Sequence, residues 1–323
     1  MRRIARSLPF IAAVWLATSV VPVVAQDEKY AESLRSLQQL DARVQTVGWH
    51  LAQGNAQYCS ATRPAIGLLL QDIMGYNRPT AARNALAVQT DFAVQAVAQD
   101  SPAQRAGLTP NQPITAIDGR DLSKMVRNAK APYLRLKWAE AAVQRGLDTN
   151  GKIDVILAGE TEPVTIAGEA ICAASFVVRP SDDKAAADAK AVYIGGKFAG
   201  LAYADDELAA AAAHELAHVL LSHPQWLAEN GRKLRDVRHT EREADRLMPW
   251  LLFNAGYAPE AAMRFMTRWG KEEDSTFLAI RRTHDGWDER VELIEAEIAV
   301  LRQIIAEKGA ADWSQNFVRQ PKT

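Results

Sequence analysis

The pattern His214-Glu215-Leu216-Ala217-His218 constrains this chain more than any other stretch. It lies in the Ala-rich run from Asp205 to Leu221, whose composition favours helix. Residues four apart on a helix share a face one turn apart, so the two imidazoles aim at one point. Glu215 reaches the same side. Neutral imidazole is a good ligand for zinc, and a carboxylate beside a metal-activated water can take its proton. A surface helix that carries two His and a Glu by chance is the plain alternative.

A second segment argues against that alternative. Thr240 to Leu247 also reads as helical, with Glu241 and Asp245 four apart. A catalytic zinc site takes three protein ligands and keeps one position open; two His and a Glu form one of the standard sets, and HExxH is the arrangement of zinc peptidases. Glu241 is the expected third ligand. Asp245, one turn on, is expected to accept the free ring N–H of a ligand His and fix its tautomer. Taken alone, Glu241 is a solvated charge in a run of charges; beside the first helix the metal reading is the stronger, with one zinc ion (Zn2+) per chain. His223 and His239 fall off the ligand spacing and read as exposed helix-end residues. Met248-Pro249 predicts a kink a turn past Asp245, because Pro removes a backbone donor.

The set His214-Glu215-Leu216-Ala217-His218, Glu241-x-x-Ala244-Asp245, Ala255-Gly256-Tyr257-Ala258-Pro259, and Thr283-His284 with Arg290 following resembles the HtpX/Oma/BepA-type M-48 zinc metallopeptidases, the gluzincins. The likeness covers roughly residues 170–300. It implies a zinc endopeptidase in which His214, His218 and Glu241 are ligands and Glu215 is the base. His284 would be the active-site His of the C-terminal loop, holding the oxyanion or filling the open metal position at rest. Arg290 would act in catalysis by anchoring that loop or adding positive charge. From spacing alone, His284 is a capping or surface residue. The family's Asn-Ala-x-Ala edge strand is replaced here by Lys184-Ala185-Ala186-Ala187-Asp188-Ala189, ahead of a strand at Ala191 to Gly195.

Residues 64–168 read as mainly β. Phe92 to Ala98, Ile114 to Ile117, Ile153 to Leu157 and Val164 to Ile166 are short apolar stretches between Gly, Pro and Asp turns, with one helix over Tyr133 to Arg145. Ser101-Pro102-Ala103 and Ala106-Gly107-Leu108, then Ile114 to Gly119, resemble a PDZ domain of the bacterial protease type. That likeness implies capture of a peptide or chain end by strand addition, with Ile66-Gly67-Leu68-Leu69 as the carboxylate-binding loop. A spacer that binds no peptide is the alternative. Asn111-Gln112 stands where a Gly-Asp turn is usual. Asp148 to Gly151 lacks the spacing of a calcium loop and reads as a turn.

The ends carry their own signals. Arg2, Arg3 and Arg6 precede an apolar run from Leu8 to Val20, and Val23-Val24-Ala25 is a small-residue cleavage site. Residues 1–25 are thus expected to be a signal peptide cleaved after Ala25, with the mature chain in the periplasm or secreted. An uncleaved anchor fits poorly, since the run is short and meets Pro22. In an exported chain the only two cysteines, Cys59 and Cys172, are expected to pair and staple the ends of the middle module; two buried thiols are the alternative. Leu34, Leu37, Leu40, Val44, Val47 and Leu51 mark a helix within residues 26–63, facing either the peptidase core or a membrane surface. Val291, Ile294, Ile298, Leu301 and Ile305 close the peptidase domain, residues 169–306, in the same way. Residues 307–323 read as a loosely ordered polar tail, with Trp313 and Phe317 as docking points.

With 48% hydrophobic residues and a net charge of −1, the chain has material for two cores and no basic stripe, so nucleic acid is excluded as a main partner. The expected fold is α+β: a mainly helical zincin-type metallopeptidase domain with a small edge sheet, plus an inserted β-rich PDZ domain. By the resemblance, the substrates are unfolded or mis-assembled envelope proteins, with peripheral membrane contact left open. A chaperone-like binding protein, with client capture at the PDZ domain and a latent zinc site, is the alternative.

Overall fold

A computed structural model describes residues 23–125, 131–274 and 286–319, and the chain is mixed α+β. A long helix α1 (Val23–Gly54) leads into β1 (Thr62–Ala65) and β2 (Leu68–Asp72). There follow α2 (Pro79–Leu86), β3 (Phe92–Val97), α3 (Pro102–Arg105), β4 (Pro113–Ile117) and β5 (Arg120–Asp121). The middle module closes with α4 (Leu134–Asn150), β6 (Lys152–Leu157) and β7 (Val164–Ala167). Four short strands come next: β8 (Glu169–Cys172), β9 (Ser175–Arg179), β10 (Ala185–Ala187) and β11 (Ala191–Gly195). The rest is helical: α5 (Asp205–Leu220), α6 (His223–Asn230), α7 (Leu234–Asn254), α8 (Ala261–Asp274), α9 (Trp287–Lys308) and α10 (Trp313–Asn316).

The middle module is an antiparallel sheet in the order β2-β3-β4-β6-β7, with β5 paired to β4. Phe92, Val94, Ile114, Ile117, Ile153, Val155 and Ile166 fill its core with Ala139 and Leu147 of α4. Strand β2 is one edge and β7 the other. The Ile66 to Leu69 segment enters β2, and the carbonyls of Ile66 and Gly67 accept from the Ala103 and Ala98 amides at 2.9 Å. Gly67 has a φ of +68°, and a Cβ there would meet Ser101 Cβ at 2.3 Å, so the position requires Gly. Asn111 adopts the left-handed conformation (φ 68°), which Asn tolerates, so the turn forms without the usual Gly. Its Oδ1 also accepts from Gln38 Nε2 at 2.7 Å and Gln71 Nε2 at 3.1 Å.

Those contacts correct the view that α1 belongs to the peptidase core alone. Its N-terminal part packs Leu34 against Ile73, Leu86, Val88 and Ala93 of the middle module. A buried polar network adds to this: Gln95 Nε2 donates to Asp41 Oδ2 at 2.7 Å, and burial pushes the Asp41 carboxyl up to about 6. Its C-terminal part, with Val44, Val47 and Leu51, enters the large core beside α5, α7, α8 and α9. There Gly48 lies flush on β9, where a Cβ would come within 2.3 Å of Phe176 Cγ. The Cys59–Cys172 disulfide stands beside the β1–β8 ladder, with Cα atoms 5.5 Å apart, and ties together the two strands from which the middle module emerges.

Helix α5 is buried from Leu208 to Ala213, and its run of Ala lets α7, α8 and the small sheet approach closely. Asp205, Asp206 and Glu207 occupy its first turn, where the helix dipole favours acids. That sheet has the order β10-β11-β9, with β11 parallel to β9 and antiparallel to β10. Pro249 lies inside a continuous α7. The tail is not loose as far as Arg319. Trp313 is buried and its Nε1 donates to Asn55 Oδ1 at 2.9 Å, while the Arg246 guanidinium sits over the Phe317 ring and donates to the Val318 carbonyl at 3.0 Å. Among the described residues, no helix is long and apolar enough to cross a membrane.

Candidate metal centre

Helices α5 and α7 lie side by side and bring three expected residues together. His214 Nε2 and His218 Nε2 are 3.2 Å apart, and Glu241 Oε2 and Oε1 lie 3.3 and 3.5 Å from them respectively. One donor atom from each residue falls within 4.8 Å of the others, so the trio could hold one metal ion. Both imidazoles present Nε2 inward because their Nδ1 atoms face partners behind. His214 Nδ1 lies 3.0 Å from Asp245 Oδ1, a close contact whose alignment falls short of a straight hydrogen bond. His218 Nδ1 meets His223 Nδ1 at 2.9 Å.

The charges reinforce the geometry. Burial pulls the His214 imidazole down, but contacts with Asp245 and Glu241 outweigh it and hold the ring up at about 10. A pocket that acts in this way attracts positive charge, whether from a proton or from a metal ion. Burial takes His218 down to about 3, leaving the neutral imidazole that binds metals. Glu215, partly exposed beside His214, is pushed up to about 7 by burial, the other charges of the cluster being smaller influences.

Arg290 is buried, and its Nε and an Nη donate to the two oxygens of Asp245 at 2.6 Å each. Burial would raise Asp245, but the guanidinium and His214 overcome it and hold the carboxyl below its ordinary range. In the structure Arg290 holds Asp245, which faces His214; the loop it was expected to anchor lies outside the described residues. His284 lies outside the described residues. The Ile66 to Leu69 segment belongs to the edge of the middle module, not to this cluster.

Two histidines read from spacing as exposed are not. His223 is fully buried, and His239 is partly buried beside Glu243. The spacing argument failed for His223 because the helix breaks. Ser222 takes a left-handed conformation (φ 57°) and α6 begins at His223 with Pro224 in its first turn, so the chain brings His223 back against His218. Glu243 carries no spacing signal of its own in the sequence. Two residues past Glu241 on α7, it faces the other flank, accepts from His223 Nε2 at 3.2 Å, and takes a bidentate pair from Arg319 at 2.7 and 3.0 Å. Burial would raise Glu243; the hydrogen bonds from His223 and Arg319 hold it down at about 2. The Ser-His-Pro break was the one local signal that could have revealed His223.

No family model, curated protein or solved structure matches the chain.

Proposed function

We propose that the chain is a zinc-dependent endopeptidase of the M-48 gluzincin type, exported, with a PDZ-like middle module. One observation carries this reading: two imidazoles and a carboxylate, from two different helices, converge on one point with Glu215 alongside. A tetrahedral zinc site with bonds of about 2.0–2.1 Å has ligand atoms about 3.3–3.4 Å apart. His214 Nε2 is 3.2 Å from His218 Nε2 and 3.3 Å from Glu241 Oε2, close to that spacing, while His218 Nε2 is 3.5 Å from the other carboxylate oxygen, Oε1. A disulfide in the chain suits an oxidising compartment.

Zinc held by His214, His218 and Glu241 would supply Lewis acidity to a water and to a peptide carbonyl. Glu215 takes the proton of the attacking water and passes it to the leaving amine, and its raised proton affinity suits both halves of that task. Asp245 keeps the proton of His214 on Nδ1, which leaves the Nε2 lone pair for the metal. By the resemblance, His284 holds the oxyanion, and the substrates are unfolded or mis-assembled envelope proteins. The edge strand β2 of the middle module is where a chain end would add.

Glu215→Gln separates binding from chemistry. The variant is expected to retain one zinc per chain and lose cleavage of an unfolded substrate such as casein by at least about 100-fold. A zinc-loaded Glu215→Gln protein that cleaves casein at the parent rate would defeat the proposal.

A further inference from the structure

The C-terminal segment returns across the molecule to the back of the metal centre. Arg319 reaches Glu243 on α7 with two hydrogen bonds, and its backbone neighbours are tied down by Arg246 and by Trp313. Glu243 and His223 have side chains only 1% exposed, whereas Arg319 is 49% exposed. The buried part of the relay is therefore closed by a residue from the surface.

The hydrogen bonds run in one consistent direction. Glu243 is the acceptor for Arg319, so it must also be the acceptor for His223, which places the His223 proton on Nε2. His223 Nδ1 then carries a lone pair, and His218 Nδ1–H donates into it at 2.9 Å. His218 is left with the lone pair of Nε2 facing His214 and Glu241. This order holds with His223 neutral; a doubly protonated His223 donating from Nδ1 would instead leave His218 protonated on Nε2, where it has no lone pair for a metal.

We propose that Arg319, Glu243 and His223 are positioning residues of the metal centre, setting the tautomer and ring orientation of His218 from the C-terminal segment. The proposal rests on the zinc reading and deepens it. Each α5 histidine then has its own support: Asp245 with Arg290 behind His214, and His223 with Glu243 and Arg319 behind His218. Partners of this kind typically change metal affinity by about 10–100-fold when lost.

The test uses the full chain. Zinc affinity is measured by competition with a chromophoric chelator, and the cobalt-substituted protein is followed by its visible ligand-field absorption. Arg319→Ala is expected to weaken zinc binding about tenfold and to shift the cobalt bands, with Arg319→Lys recovering part of both. Glu243→Gln is expected to do the same; because that residue is buried, urea unfolding is measured in parallel, so that affinities are compared only between folded proteins. A folded Arg319→Ala protein with parental affinity and parental cobalt bands overturns the proposal. Loss of stability with both metal readouts unchanged also overturns it, since that is what a purely structural contact gives. Failure of the unsubstituted chain to bind zinc at all would instead overturn the metal reading beneath, and it shows before any variant is made.

Discussion

Both oxygens of Asp245 meet nitrogens of Arg290 at 2.6 Å, and the two side chains are only 1% and 4% exposed. Removing one partner leaves the other charge buried without compensation, a loss of about 3–5 kcal/mol. Asp245→Asn is therefore expected to lower the unfolding free energy from urea titration by that amount, well beyond what an exposed ion pair would give. A second prediction concerns pH. Burial raises Asp41 from 3.8 to about 6, so the folded chain binds this proton more tightly than the unfolded one. The favourable contribution is complete below about pH 4 and is lost as pH rises through about 6. Asp41→Asn should then be more stable than the parent at pH 7 by about 1–3 kcal/mol, with the difference vanishing near pH 4 in paired urea titrations. Asp41 gives no sign of burial in the sequence, because the apolar stripe of its helix does not include it. The grouping of His214, His218 and Glu241 was legible because His214 and His218, and likewise Glu241 and Asp245, obey helical spacing. His223 was not, since a single left-handed residue at Ser222 resets the register.

At the scale of elements, α1 shows how much periodicity can and cannot say. The stripe from Leu34 to Leu51 marked a helix with a buried face, and the structure has one. Periodicity could not show that the face is shared between two cores, because the division is made by polar residues: Gln38 and Asp41 on one side of it, Gly48 on the other. Gly48 gives a test with a sign. In an exposed helix, Gly→Ala gains up to about 1 kcal/mol. Here the added methyl would stand 2.3 Å from Phe176 Cγ, and overpacking costs typically about 1–3 kcal/mol. Gly48→Ala is therefore expected to destabilise the fold, read as a lower urea midpoint. A stabilised variant would mean that α1 does not lie flush on β9. The edge strand β10 is three alanines; a short Ala strand needs only backbone pairing with β11.

For the whole molecule, the sequence order of helix, β module and helical part was readable from composition and turn residues, and the two cysteines marked the module's limits. How the parts dock was not, because polar networks and the returning C-terminal segment leave no periodic trace. The Cys59–Cys172 bond spans 113 residues of chain. Replacing both cysteines by Ala is expected to lower stability by about 2–5 kcal/mol, because the unfolded chain regains the freedom of so long a loop. Thermal melting with and without reductant checks it, and the reduced parent should match the double variant. The most direct test of the central claim, that α5 and α7 together hold one zinc ion, is metal analysis of the purified full chain beside Glu241→Ala. The account predicts close to one zinc per parent chain and loss of that zinc at equal folding in the variant. A full complement of zinc in Glu241→Ala, or none in the parent after exposure to excess zinc, would contradict it.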